Sequence, residues 1–175
     1  MYKPREDSLL LERYLHLAKG KVLEIGTGSG FLANSAAKNP DVESVLAADV
    51  DEEAIEYCET YYQNKKLSFI VSNLFENVSG KFDTIIFNPP YLPRDKGMED
   101  KVLYGGKKGH EVLGKFLSQA KEHLNKDGII LIVFSSLTDK KKVDEMIKEH
   151  GFSFKELERK HIFFEDLYVY LISWP

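Results

Sequence analysis

The run Ile85-Ile86-Phe87-Asn88-Pro89-Pro90-Tyr91 brings an apolar strand to an abrupt stop. Proline cannot donate to a sheet ladder, so the strand must finish at Asn88. At its tip stand one planar amide, two conformationally fixed carbonyls and an aromatic ring. Such a set suits a planar NH2 group. The Asn88 side-chain oxygen and the Pro89 main-chain oxygen can each accept one N–H, the prolines hold that second acceptor in place, and Tyr91 can stack on the target. An amide or aromatic amine is a poor nucleophile because its lone pair is delocalised. Gripped by both protons, it presents that pair along one axis. As the nitrogen attacks, its protons become more acidic and both bonds strengthen, which is differential binding of the transition state. Orientation carries the step, and no strong general base is required, because the proton can leave after the attack. Prolines also end strands for no functional reason. The tetrapeptide gains meaning from what precedes it.

The first apolar run leads into Glu24-Ile25-Gly26-Thr27-Gly28-Ser29-Gly30, placing Glu24, Gly26, Gly28 and Gly30 at a strand-to-helix turn. Glycines there let a ligand approach the main chain, and the helix start favours a negative group. Phe31 stands where a dinucleotide fingerprint wants glycine. Asp49, ending the next strand, can accept hydrogen bonds from two ribose hydroxyls, while Asp51 suits the cap of the following helix. No second phosphate loop or Walker lysine is present. The cradle suits a nucleoside with a small zwitterionic tail better than a pyrophosphate, a description that fits S-adenosyl-L-methionine.

These residues need a scaffold. With 175 residues, 43% of them hydrophobic and 30% charged, the chain can build one domain with a full core, and residues 1–175 are expected to form it. Short apolar strands are expected at residues 21–25, 44–49, 67–72, 82–87 and 128–134, with helices between them. Asp7-Ser8 can cap a first helix running to Gly20. Two β-rich segments near residues 153–160 and 167–174 are expected to face each other across Glu165-Asp166 as a closing hairpin. The fold class is therefore α/β: a Rossmann-like, mostly parallel seven-stranded sheet with a C-terminal antiparallel hairpin and helices on both faces.

A net charge of −4 argues against a strong global attraction for nucleic acid or an anionic membrane. No apolar stretch reaches the ~20 residues of a membrane span. The single cysteine, Cys58, cannot form an internal disulfide, and the histidines show no metal or triad spacing. The expectation is a cytoplasmic protein without a metal. Residues 92–108 read as a mixed-charge loop, and Lys140-Lys141-Lys142 as a solvated helix face.

Glu24 to Gly30, Asp49 and Asn88-Pro89-Pro90-Tyr91 closely resemble a class I methyltransferase. The flanks Y-K-P-R-E-D-S-L-L-L and L-Y-G-G-K-K-G-H-E-V-L-G-K-F-L resemble the HemK family of protein-glutamine methyltransferases, in its short archaeal and eukaryotic branch without the bacterial N-terminal domain. The resemblance implies that the third-strand end lies against adenine, with Asn73 bonding its edge where relatives often carry aspartate and the Leu74 N–H meeting N1. It implies that Asp7 and Ser8 lie over the cofactor and active site. It also implies methylation of the Gly-Gly-Gln glutamine of a translation release factor, and a small zinc-binding activator protein docked on the third strand, residues 67–71. Asn-Pro-Pro-Tyr equally serves adenine N6 in RNA or single-stranded DNA, and some relatives methylate lysine. A non-catalytic cofactor-binding subunit is a further alternative.

Overall fold

The computed structural model describes residues 4–90 and 110–175. Among the described residues seven strands form one sheet: β1 (Gly20–Ile25), β2 (Val42–Asp49), β3 (Leu67–Val71), β4 (Phe82–Phe87), β5 (Leu124–Ser135), β6 (Ser153–Ile162) and β7 (Glu165–Ser173). The α-helices among the described residues are α1 (Glu6–Glu12), α2 (Phe31–Ala37), α3 (Glu52–Tyr61), α4 (Glu111–His123) and α5 (Lys140–Glu149). The strand order is β3-β2-β1-β4-β5-β7-β6. β1 to β5 are parallel, and β7 and β6 add the antiparallel edge.

The sheet is buried on both faces, and strand periodicity divides its side chains between two cores. In β5, Ile130, Ile132 and Phe134 pack with Phe116, Leu117 and Ile147 of α4 and α5. The alternate residues Leu131 and Val133 join Leu10 and Leu11 of α1 and Leu32 and Ala33 of α2. This explains why β5 is apolar at every position of its centre rather than at every second one. No helix among the described residues is long and apolar enough to cross a membrane.

Three local expectations are corrected. The first helix stops at Glu12 and is followed by a 3-10 turn at Leu15–Leu17. The carbonyls of Leu15 and Ala18 accept from Asn39 Nδ2 at 3.1 and 2.9 Å, while the Tyr14 hydroxyl donates to Glu158 on β6 at 2.7 Å. Arg5, not Asp7 or Ser8, occupies the cap position of α1; both of those residues lie inside the first turn and are buried.

β5 begins at Leu124, earlier than Gly128, because its ladder with β4 absorbs an irregularity between Phe82 and Thr84. Asn125 anchors that kink, its Nδ2 donating to Asp83 Oδ1 at 2.7 Å and its carbonyl accepting from Trp174 Nε1 at 3.1 Å.

The β6–β7 turn is made by Phe163-Phe164 rather than Glu165-Asp166. Asp166 pairs across the ladder with His161, and its carboxylate meets Arg159 Nη2 at 2.7 Å and His161 Nδ1 at 3.1 Å. That pairing pulls the acids into the strand and leaves Phe163 and Phe164 84% and 98% exposed at the tip.

Candidate active site

The chain builds β1, β2 and β3 outward in one direction, then returns to place β4 and β5 on the other side of β1. In open α/β sheets a crevice forms beyond the carboxyl ends at such a reversal. Register brings the residues at issue to that one edge. Ile25 pairs with Ala48 and with Phe87, and Asp49 pairs with Val71. Gly26, Asp49, Ser72 and Asn88 therefore leave neighbouring strands at nearly one level.

The glycine turn is held from the side and from below. The N–H groups of Gly26 and Thr27 both donate to the Ala48 carbonyl, at 2.8 and 3.0 Å. Gly26, Gly28 and Gly30 have φ of 71°, 52° and 75°. The third glycine answers a packing demand: a Cβ on Gly30 would stand 2.6 Å from the Tyr62 ring and 2.9 Å from Cys58 Sγ. Cys58 is fully buried under the turn, and burial pushes its thiol up to about 12, so it packs as a small inert group.

Asp49 is engaged on both oxygens. Oδ2 accepts from Gly28 N at 2.7 Å and Oδ1 from Asp51 N at 2.9 Å. Each carboxylate oxygen keeps a second lone pair for a ligand. Asp51 caps α3, its Oδ1 accepting from Glu53 N at 3.1 Å.

Glu24 lies deeper. Its Oε2 accepts from the Thr27 hydroxyl at 2.5 Å. Burial dominates and raises its pKa to about 8, the nearby Asp49 charge adding to the effect and the Thr27 and Ala33 hydrogen bonds opposing it. A raised carboxyl pKa favours the folded state fully below the unfolded value near 4.5 and loses that contribution as pH rises toward about 8. The expected result is that the melting temperature of the wild type falls relative to Glu24→Gln between pH 5 and 8. Parallel melting curves across that window would rule out a shifted Glu24.

At the end of β3, Asn73 is exposed, and its Nδ2 donates to Glu76 Oε1 at 2.8 Å. A ligand contact through that nitrogen must compete with Glu76. Leu74 follows with φ 52°, in the left-handed region. Such a conformation costs a non-glycine residue ~1–3 kcal/mol and persists where its surroundings enforce it. Ser72 supplies that enforcement, its hydroxyl donating to the Leu74 carbonyl at 2.9 Å and accepting from Asn77 N at 3.0 Å.

Asn88 stands just past β4. Its Nδ2 donates to Ser8 Oγ at 3.2 Å. Its Oδ1 is buried and has no hydrogen-bond partner among the described residues. A buried acceptor left open costs roughly 1–3 kcal/mol and calls for an explanation. Pro89 is buried and Pro90 half-buried beside it. Tyr91, the last member of the tetrapeptide, lies outside the described residues, as does the charged stretch 92–108.

Sequence reasoning missed Thr27 as the partner of Glu24 and Ser8 as the partner of Asn88. Serine and threonine are common beside turns and helix starts, so no local signal marked either. Among the described residues no group of three or more His, Cys, Asp or Glu side chains is arranged to hold a metal ion.

The chain matches the methyltransferase small domain family over residues 6–163. A Methanocaldococcus jannaschii protein, provisionally named a protein N5-glutamine methyltransferase, is 38% identical over 177 residues, covering 97% of this chain and 89% of that one. The release factor glutamine methyltransferase of Streptococcus pneumoniae is 30% identical over 81% of this chain, which spans 50% of that longer protein. In structure, the chain resembles one from the E. cuniculi Mtq2–Trm112 complex, responsible for methylation of the eRF1 translation termination factor, with TM-score 0.81, 22% identity and coverage of 99% and 98%. At that identity the likeness speaks for the fold, a class I methyltransferase sheet. The chain belongs to the methyltransferase small domain family, on its HemK-type protein-glutamine methyltransferase side.

Proposed function

We propose that this protein transfers a methyl group from S-adenosyl-L-methionine to the side-chain nitrogen N5 of a protein glutamine, that of the Gly-Gly-Gln loop of a translation release factor. S-adenosyl-L-homocysteine is the other product. The observation that carries this reading is the open, buried Oδ1 of Asn88 at the tip of β4. It is an acceptor in want of an N–H donor, at the edge where the glycine turn and Asp49 meet. The relatives named for glutamine methylation favour an amide as that donor.

The residues present fit the cofactor. The turn from Gly26 to Gly30 gives close main-chain approach, Asp49 retains lone pairs for ribose hydroxyls, and Asn73 and Leu74, just past the end of β3, would meet the base. Glu24 underlies the turn as a buried carboxyl that a cationic amino group would ionise. When bound, S-adenosyl-L-methionine supplies an electrophilic methyl group on a sulfonium centre. The chain's own residues orient the acceptor. Asn88 Oδ1 and the Pro89 carbonyl take the two amide protons, aim the nitrogen lone pair, and gain strength as positive charge develops there. Tyr91 is assigned to stack on the amide plane. The nitrogen then releases one proton to solvent.

A small zinc-binding activator protein is proposed to pair with β3. That strand ends the sheet, Val71 is 39% exposed, and a shallow groove of about 450 Å³ lies between β3 and the end of α3, lined by Tyr62, Asn64, Leu67 and Phe69 among others. A strand edge of this kind accepts a partner strand. Acting on a release factor would place the protein in the cytoplasm.

The test is methyl transfer from labelled S-adenosyl-L-methionine to a release factor, with and without the activator, mapped by mass spectrometry. Label on the Gly-Gly-Gln glutamine, abolished when that glutamine is alanine, is the expected result. Label on an adenine-rich RNA alone, or on lysine alone, would overturn the acceptor while keeping the cofactor. Transfer equally fast without the activator would remove the role given to β3.

A further inference from the structure

The side-chain amide of Asn88 is nearly symmetric in shape, so a half-turn about its last bond exchanges oxygen and nitrogen at little steric cost. The exchange reverses its chemistry. With oxygen toward the substrate, the group accepts an N–H; with nitrogen there, it would meet another NH2 group donor to donor. Packing alone does not choose between these states.

A chain of hydrogen bonds does choose. Asp7 Oδ1 accepts from Ser8 N at 2.6 Å and from the Ser8 hydroxyl at 3.3 Å. Ser8 has one hydroxyl proton, and that proton is committed to Asp7 Oδ1. The remaining polarity at Ser8 Oγ is that of an acceptor, and it faces Asn88 Nδ2 at 3.2 Å. Nitrogen is thereby drawn toward α1, and Oδ1 is left on the other side without a partner among the described residues. Asp7 and Ser8 are each 4% exposed, which protects the relay from water that would otherwise serve either orientation. It links the first turn of α1 to the tip of β4, 80 residues away in the chain.

We propose that Asp7 and Ser8 are positioning residues whose hydrogen-bond relay fixes the polarity of the Asn88 amide, so that its oxygen, and not its nitrogen, faces the substrate NH2. This rests on the reading of Asn88 as the acceptor for a substrate amide. It explains why a charged and a polar residue are buried in the first turn of an otherwise apolar helix face. The local sequence Asp7-Ser8 has no need of burial if it only starts a helix.

The test compares Ser8→Thr with Ser8→Val, two substitutions of the same shape that differ in the hydroxyl. The threonine variant is expected to keep kcat for release-factor methylation within about twofold of wild type. The valine variant is expected to lower kcat about tenfold or more, the worth of one well-placed hydrogen bond. The KM for the release factor and the calorimetric Kd for S-adenosyl-L-methionine should both move less than about threefold. A second readout needs no activity: the Asn88 Nδ2 protons, followed by NMR in 15N-labelled protein, should exchange slowly in the wild type and in the Ser8→Thr variant, and rapidly in the Ser8→Val variant. Equal kcat for the two variants overturns the proposal, as does a valine defect that falls on the cofactor Kd. If the wild type itself leaves the release factor unmethylated, the functional reading fails instead. The exchange measurement then decides the relay by itself, since rapid exchange in the wild type refutes it.

Discussion

Replacing Asn88 by alanine is expected to lower methyl transfer by roughly 10²–10³-fold while cofactor affinity changes by no more than a few fold. The magnitude follows from what one preorganised hydrogen-bonding group contributes when it strengthens only as charge develops, about 3–4 kcal/mol. Asn88 meets the geometric condition for such a group. It follows immediately on a strand paired on both sides, with β1 and β5, its nitrogen is held by Ser8, and its oxygen is open. The fold should tolerate the change. Alanine removes a half-buried side chain and an acceptor that has no partner among the described residues, so the relief of an open acceptor offsets part of the lost Ser8 bond. The measurements are single-turnover transfer at saturating cofactor, calorimetric binding of S-adenosyl-L-methionine, and a melting curve. Transfer and cofactor binding falling by the same factor would show that Asn88 holds the cofactor rather than the acceptor.

How much of this site is legible in the sequence depends on the reach of the interactions involved. The strand Phe82–Phe87 and its Asn-Pro-Pro terminus are legible because both signals are local: an apolar run, then residues that cannot continue a ladder. The glycine turn and Asp49 are legible for the same reason, since strand-to-helix alternation sets their relative positions. The link from Ser8 to Asn88 crosses 80 residues, and no spacing within either segment announces it. Lys140 makes the same point away from the site. Within three consecutive lysines it reads as solvated, yet it pairs with Asp144 at 3.1 Å and Glu156 at 3.4 Å and lies 5.4 Å from the centre of the Tyr170 ring. The hairpin turn is misread from sequence because Glu165 and Asp166 look like turn residues until Arg159 and His161 are seen facing Asp166. Local chemistry thus locates the cradle and the strand tip, whereas the contacts that polarise and brace them come from the topology.

Asp49 offers the complementary experiment, because its carboxylate serves the protein as well as the proposed ligand. Asp49→Ala is expected to raise the Kd for S-adenosyl-L-methionine about 100-fold or more, through two separable losses. The first is direct, the ribose hydroxyls losing a charged acceptor, for which hydrogen bonds are worth about 1.5–3 kcal/mol. The second is structural. The Gly28 and Asp51 main-chain N–H groups, now bonded at 2.7 and 2.9 Å, lose their acceptor, so both the glycine turn and the entry to α3 slacken. Asp49 is only half-buried, and water can replace part of that bonding, so the stability loss should be near 2 kcal/mol, a melting shift of about 4–8 °C for a chain of this size. Asp49→Asn separates the two. Its amide oxygen can accept from one of the two N–H groups, while its NH2 must confront the other, so the turn is strained although the side chain keeps its volume. The asparagine variant should therefore melt below wild type and bind the cofactor weakly, yet transfer methyl at a kcat within a few fold of wild type once cofactor is saturating. A Kd unchanged in both variants would confine Asp49 to bracing the turn. A kcat that collapses at saturating cofactor would instead place its carboxylate near the reacting atoms, a role that the grip of Asn88 and Pro89 on the acceptor does not require.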